Sequence, residues 1–245
     1  MKQKLQFPTS ELNLLFALLM ASAGMMGAYT FILRGNIFCN AQTANVVLMS
    51  IALGQGKWAD AVYYLIPMSA YLAGALIAEV LQVVLKNRGI IFKWNTYLIG
   101  IEIIMLFSIG FIPLTTPHHV VQIMINFIAS MQFTSFKRAE GIPMATTFCT
   151  NHIRQIGISI ATSITQKTTK PLKRGLVHFC MIMSFFVGGV ILTLTTKPLQ
   201  EMSIWLTLVP LIIVFALLIN GDIRDYKDYK NQIKKTAENS DTSIN

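Results

Sequence analysis

The stretch LNLLFALLMASAGMMGAYTFIL (residues 12–33), followed by RGNIFCNAQTAN (34–45) and VVLMSIALGQ (46–55), decides the fold. Its first part is apolar, uncharged and long enough to cross a hydrocarbon core of roughly 30 Å. The second part is rich in Gly, Asn, Gln and Thr, which suits a turning or extended backbone rather than a span. The third, Val46 to Leu53, is apolar but too short to cross, so the chain must return to the face it reached. These three parts predict a span followed by a re-entrant hairpin at about 35–54, whose short helix has Thr43 or Asn45 as a reasonable N-cap.

The same length criterion gives about six spans in all, the others being Ala61–Leu85, Trp94–Ile112, Val120–Phe136, Leu176–Leu194 and Met202–Ile219. Composition agrees: 53% of residues are hydrophobic and 13% charged, whereas soluble domains carry roughly a quarter charged residues. The expected class is an all-α polytopic membrane protein whose surroundings are the lipid bilayer. The first span runs on past the small residues Ala21, Ser22 and Ala23, which suits a retained span rather than a cleaved leader.

The net charge of +9 follows topology. With six spans, Lys2 and Lys4, then Lys86, Arg88 and Lys93, the basic residues between Lys137 and Arg174, and those of the tail all fall on one side. Only Arg34, Lys57 and Lys197 fall on the other. Basic residues mark the cytoplasmic side, so both termini are expected there, with residues 221–245 forming a polar, disordered cytoplasmic tail. No basic patch interleaved with aromatic residues points to nucleic acid. Cys39, Cys149 and Cys180 are odd in number and lack paired-ligand spacing, so neither a disulfide framework nor a zinc site is expected. No metal and no cofactor is expected, nothing indicates a homo-oligomer, and no catalytic motif marks an enzyme. Trp94, with other aromatic residues near span ends, reads as an interfacial anchor.

A second short apolar stretch, Ile153 to Ile164, follows the polar and helix-breaking Gly141 to Asn151, giving another hairpin at about 139–164. Setting Thr43 against Thr150, 107 positions later, makes each half read span, hairpin, span, span. The halves are residues 1–112 and 113–220. Three crossings per half insert the second upside down relative to the first, which is a 3+3 inverted repeat of the kind transporters use.

Ala23-Gly24, Ala28-Tyr29-Thr30-Phe31, Gly35, Phe38 and Asn40-Ala41-Gln42-Thr43-Ala44-Asn45 resemble the signature of the YoaK-type family, the domain of unknown function 1275. In that family a Gln-Thr-Gly-Asn motif follows the first span. Met131-Gln132 and Ala145-Thr146-Thr147-Phe148-Cys149-Thr150 are similar to its later Met-Gln and Thr-Thr-x-x-Thr-Gly segments, and the resemblance covers the chain to about Asn220. It implies a small multi-pass protein of the bacterial plasma (inner) membrane without an assigned activity. The chain departs from the pattern at Gly27, where an acidic residue is often found, at Ala44, and at Asn151-His152 in place of the second Gly-Asn. Those departures keep a diverged member with reduced activity in view.

The expected function is a secondary transporter or permease for a small solute. Both half-helix N-termini should point to mid-membrane, which favours an anionic group there. The alternative is a membrane scaffold or binding protein that transports nothing. The candidate substrate-binding residues are Thr43, Asn45, Thr150 and Asn151, then Gln42, Gln132 and Thr147; otherwise these polar groups only satisfy broken backbone. Glu102, in mid-span, is the candidate for proton coupling, or else a neutral carboxyl bonded to a neighbouring helix. A cavity reaching both hairpins favours transport, and solid packing by Val46, Val47, Phe148 and Ile153 favours a structural role.

Overall fold

The computed structural model describes residues 7–86 and 91–242. Lys2, Lys4 and Arg88 of the charge pattern, and residues 243–245 of the tail, lie outside the described residues. The chain forms α1 (Asn13–Leu33), α2 (Gln42–Gly54), α3 (Trp58–Lys86), α4 (Trp94–Ile109), α5 (His118–Ser135), α6 (Thr150–Thr165), α7 (Lys170–Leu199) and α8 (Leu208–Thr242). Two-residue strands β1 (Arg138–Ala139) and β2 (Ile142–Pro143) pair antiparallel between α5 and α6. A 3-10 segment, Gln200–Thr207, joins α7 to α8. It begins where Gln200 takes a φ of 47°, after which the chain doubles back.

Helices occupy all six expected runs. Among the described residues, three helical stretches are long and apolar enough to cross a membrane: Asn13–Leu33, Trp58–Leu85 and the doubled-back Lys170–Gln232. α4 is apolar but has 16 residues, about 24 Å of helix at 1.5 Å per residue.

α1 is central. It is apolar on all sides, and a helix of that kind belongs inside a bundle; Leu15, Phe16, Leu19, Met20, Met26 and Tyr29 are fully buried. Small residues bring α1 and α7 into backbone contact, as small residues do between helices in membranes. A Cβ on Gly188 would overlap the carbonyl oxygen of Ala21, and one on Gly24 would overlap that of Phe185. α3 packs on α5 in the same way, with Gly74 against the carbonyl oxygen of Phe127 and the hydroxyl of Ser130. The outer side of α3 is apolar and uncovered, with Trp58, Leu72 and Leu76 exposed.

Contacts at the helix ends sort them to two faces. At one face Glu79 of α3 pairs with Lys137 after α5 at 2.9 Å, and Thr9 before α1 accepts from Arg224 of α8 at 3.2 Å. At the other, Arg34 after α1 reaches the carbonyls of Ile112 and Pro113 after α4. There also Tyr63 of α3 meets His119 of α5, and Trp205 donates to the carbonyl of Phe107 at 2.9 Å.

Three local expectations are corrected. The short helix after α1 starts at Gln42 with Ala41 as its uncapped N-cap, so Thr43 and Asn45 lie inside the helix rather than capping it. The stretch from 221, expected to be a disordered tail, continues α8 as helix to Thr242. Its first turn is held by packing: Asp222 is buried and accepts from the Lys93 backbone N–H at 2.8 Å and the Thr96 hydroxyl at 2.6 Å. A carboxylate at the N-terminus of α4 also meets the helix dipole, worth roughly 0.3–1 kcal/mol. Trp94 is no interfacial anchor; it is buried and donates Nε1–H to Ser135 Oγ at 2.8 Å.

Candidate functional site

The first hairpin begins with Gly35 and Asn36, both in left-handed conformations (φ 86° and 58°), which turn the chain back into the protein. Ile37 and Cys39 are buried, and Phe38 stacks on Phe31 of α1 with ring centroids 4.7 Å apart. Asn40 lies over Gly27 and donates Nδ2–H to the carbonyl of Ala23 at 3.1 Å. An amide chain then ties the hairpin to α5. Gln42 donates to Asn126 Oδ1 at 2.7 Å, Asn126 to the carbonyl of Gln122 at 2.7 Å, and Gln122 to the carbonyl of Arg34 at 2.5 Å. Asn45 donates to Gln42 Oε1 at 3.1 Å and to the carbonyl of Phe38, seven residues back, at 2.9 Å.

The second hairpin enters through the β1–β2 turn and the buried residues Met144 to Thr147, with Phe148 against Phe133 of α5. His152, in the first turn of α6, meets the carbonyl of Ala145 through Nε2 at 2.8 Å, again seven residues back. Its Nδ1 lies 3.0 Å from Nδ1 of His178 on α7, and both imidazoles are fully buried. The tautomers follow from these partners. A carbonyl can only accept, so His152 carries its proton on Nε2, and neutral His152 then offers Nδ1 as acceptor. His178 must be the Nδ1–H donor, which leaves its Nε2 as a bare lone pair with no partner among the described residues.

A cavity of about 630 Å³ lies between α1 and α7. Its wall takes Phe38 and Asn40 from the first hairpin, Cys149 from the second, and Gly24, Gly27 and Gly189 from the two helices. α2 starts two residues after Asn40, and α6 starts directly after Cys149. Both half-helices therefore begin beside this space.

The residues expected to form the site divide. Gln42 and Asn45 come together in the amide chain. Thr147 is buried beside Tyr71 of α3, and Asn151 accepts from Arg154 on its own helix at 3.1 Å. Thr43 and Thr150 are exposed. Gln132 is buried and reaches the carbonyl of Leu19 at 3.5 Å. Glu102 sits in the buried stripe of α4 with Leu98, Ile99 and Leu106, and neither carboxyl oxygen has a partner among the described residues. Among the described residues no hydrogen bond joins the first group to the second. Val46, Val47 and Ile153 point out of the fold, at 42%, 50% and 62% exposure, so they do not pack the hairpins solid.

Asn40, Asn126, Cys149, His152 and His178 also belong to these two hairpin networks and the cavity between them, beyond the residues the sequence points to. A usable signal existed for His152. The offset that sets Thr43 on Thr150 also sets Asn45 on His152 and Phe38 on Ala145, so both hairpins make the same bond at the same positions.

The family model described as "Protein of unknown function (DUF1275)" matches residues 15–217. The UPF0700 transmembrane protein YoaK of Bacillus subtilis (strain 168) is 21% identical over 220 residues, covering 86% of this chain and 95% of its own. No solved structure matches. A family model running from α1 through both hairpins into the start of α8, together with a transmembrane relative of nearly the same extent, places this chain in the DUF1275 family of membrane proteins.

Proposed function

We propose that this protein is a secondary transporter or permease for a small solute, with six spans and two re-entrant hairpins arranged as a 3+3 inverted repeat. The observation that carries this reading is the cavity shared by Phe38 and Asn40 of one hairpin and Cys149 of the other. Broken helices whose half-helices start at a common space near mid-membrane are a transporter arrangement.

Packing supports the repeat. Gly188 of α7 rests on the carbonyl of Ala21 in α1, and Gly74 of α3 rests on that of Phe127 in α5. Ala21 and Phe127 are 106 positions apart, close to the hairpin offset of 107. The third helix of each half thus meets the first helix of the other half at matching points. Lys93, Lys137 and Arg224 gather at one face with Thr9 and Asp222, which supports cytoplasmic termini in a bacterial plasma membrane. The scaffold reading draws support from the amide chain around Gln42 and Asn45, which ties the hairpin to its own backbone and to α5.

The test uses Cys149 alone, and Asn40→Cys alone, in a background without other thiols. Transport expects each to react with a small water-soluble thiol reagent, from opposite sides in different states. Failure of both positions to react from either side would remove the transport reading and leave the scaffold. Reporters at Thr116 and after Asn245 should read external and cytoplasmic; an external C-terminal reporter breaks the six-span model.

A further inference from the structure

The wall of the shared cavity constrains what it can hold. No charged side chain lines it. Its body is Phe31, Ile32, Ile182, Phe185, Phe186 and Val190. Its floor is bare backbone at Gly24, Gly27 and Gly189; a side chain at Gly27 would crowd Asn40, and one at Gly24 would strike the carbonyl of Phe185. Thr193, a polar member of the wall, turns its hydroxyl to the carbonyl of Gly189 at 2.7 Å. Asn40 is 5% exposed and uses one Nδ2 hydrogen on Ala23, so a second N–H and the Oδ1 oxygen remain as one donor and one acceptor.

The rim is as apolar as the wall. Ile32, Phe186 and Leu194 are exposed, at 44%, 59% and 73%. In a bilayer such a rim meets acyl chains rather than water, so molecules dissolved in the membrane reach the cavity sideways. A volume of about 630 Å³ lies within the roughly 300–1,000 Å³ typical of small-molecule sites, which are mostly apolar with a few placed polar groups. A charged ligand would have no counter-ion here, and a pure hydrocarbon would leave the Asn40 amide unmatched.

We propose that this cavity binds an uncharged amphiphile drawn from the bilayer, its apolar body between α1 and α7 and a single hydroxyl, carbonyl or amide head on Asn40. The inference deepens the transport reading by giving its site a ligand class. That class replaces the anionic solute expected from the half-helix N-termini, because the wall supplies no cation.

The experiment uses the full chain in lipid nanodiscs and three photoreactive probes with one long diazirine-bearing tail. One ends in a primary alcohol, one in a carboxylate and one in plain hydrocarbon. The alcohol should label residues 28–38 and 182–194 roughly five- to tenfold more than either of the others, the factor a net hydrogen bond supplies. Asn40→Leu should lower alcohol labelling to the hydrocarbon level and leave hydrocarbon labelling unchanged. Gly189→Ala adds a methyl that meets only the Gly24 backbone, at 3.5 Å. It keeps the fold, narrows the cavity and should reduce labelling by all three probes. Equal labelling by hydrocarbon and alcohol would overturn the proposal, since the groove would then hold only ordinary acyl chains. Strongest labelling by the carboxylate would overturn it in favour of an anion. Alcohol-selective labelling with Asn40→Cys and Cys149 closed to water from both sides would keep the site and remove transport. Thiol reactivity from both sides without alcohol selectivity would keep transport and remove this ligand class.

Discussion

Both hairpins pin a half-helix to non-helical chain seven residues upstream, one through Asn45 and the carbonyl of Phe38, the other through His152 and the carbonyl of Ala145. The mechanical task is the same, and the chemistry is not. Around Asn45 the partners are amides, Gln42 and Asn126, which hold no proton to gain or lose. Around His152 the partner is a second buried imidazole, and the bond between them exists only while at least one Nδ1 is bare. One half of the molecule is thus fixed at every ordinary pH, whereas the other is fixed conditionally.

The strongest way to break this comparison is His152→Ala. It leaves the Ala145 carbonyl and the Nδ1–H of His178 without partners, and two buried orphans at about 1–3 kcal/mol each predict a loss of roughly 2–6 kcal/mol. His152→Asn copies Asn45 and should recover about half of that. Unfolding midpoints in detergent read both, and an Asn variant no better than Ala would end the equivalence of the two positions.

Acid sharpens the contrast, because it acts on one hairpin only. Each hairpin carries a native thiol, Cys39 in the first and Cys149 in the second. The imidazole pair holds when neutral and is lost when both rings carry a second proton. Under acid conditions that protonate both rings, Cys149 labelling should rise several-fold while Cys39 stays protected. Equal rises at both thiols would mean general acid unfolding.

Smaller effects probe the helix pairs that carry the hairpins. Gly188→Val and Gly74→Val each drive a side chain into a carbonyl of the facing helix and should cost similar amounts, about 1–3 kcal/mol. A silent variant at one site beside a damaging one at the other would show that the two contacts are not equivalent. The smallest effect is expected at Glu102→Gln, below about 1 kcal/mol, since an acid without a partner loses no bond. If acid-dependent labelling of Cys149 survives that change and vanishes in His152→Asn, the titrating element belongs to the second hairpin. The reverse pattern would return it to α4.

The helices were legible because membrane thickness turns a count of apolar residues into a helix, and Asn13–Leu33 differs from the expected run by one residue. Their ends were less so. Asp222 looks like the start of a polar tail until α4 is placed beside it, and Trp94 looks interfacial until Ser135 receives its N–H. These are contacts between residues far apart in sequence, which local composition does not encode. His152 and His178 are each unremarkable alone, 26 residues apart on different helices, and only superposing the halves draws attention to the first. Asn40 carries no local signal of its own: Thr43 and Asn45 have the chemistry of helix caps, while Asn40 sits in a turning or extended stretch and acquires its role only when Gly27 and Ala23 of α1 lie beneath it.

Arg34 adds a constraint on the order of events during synthesis. Its guanidinium is fully buried and, among the described residues, makes no ion pair; it is held by the Tyr29 hydroxyl and the carbonyls of Ile112 and Pro113. Its own carbonyl waits for Gln122. When the first span leaves the insertion machinery, none of the partners beyond Tyr29 has been made. The cation must rest in water or among headgroups until some 80 further residues have emerged, the separation between Arg34 and Pro113 being 79. A nascent chain stopped before that point holds its first span without this clasp, and its arginine has nowhere in the fold to be buried.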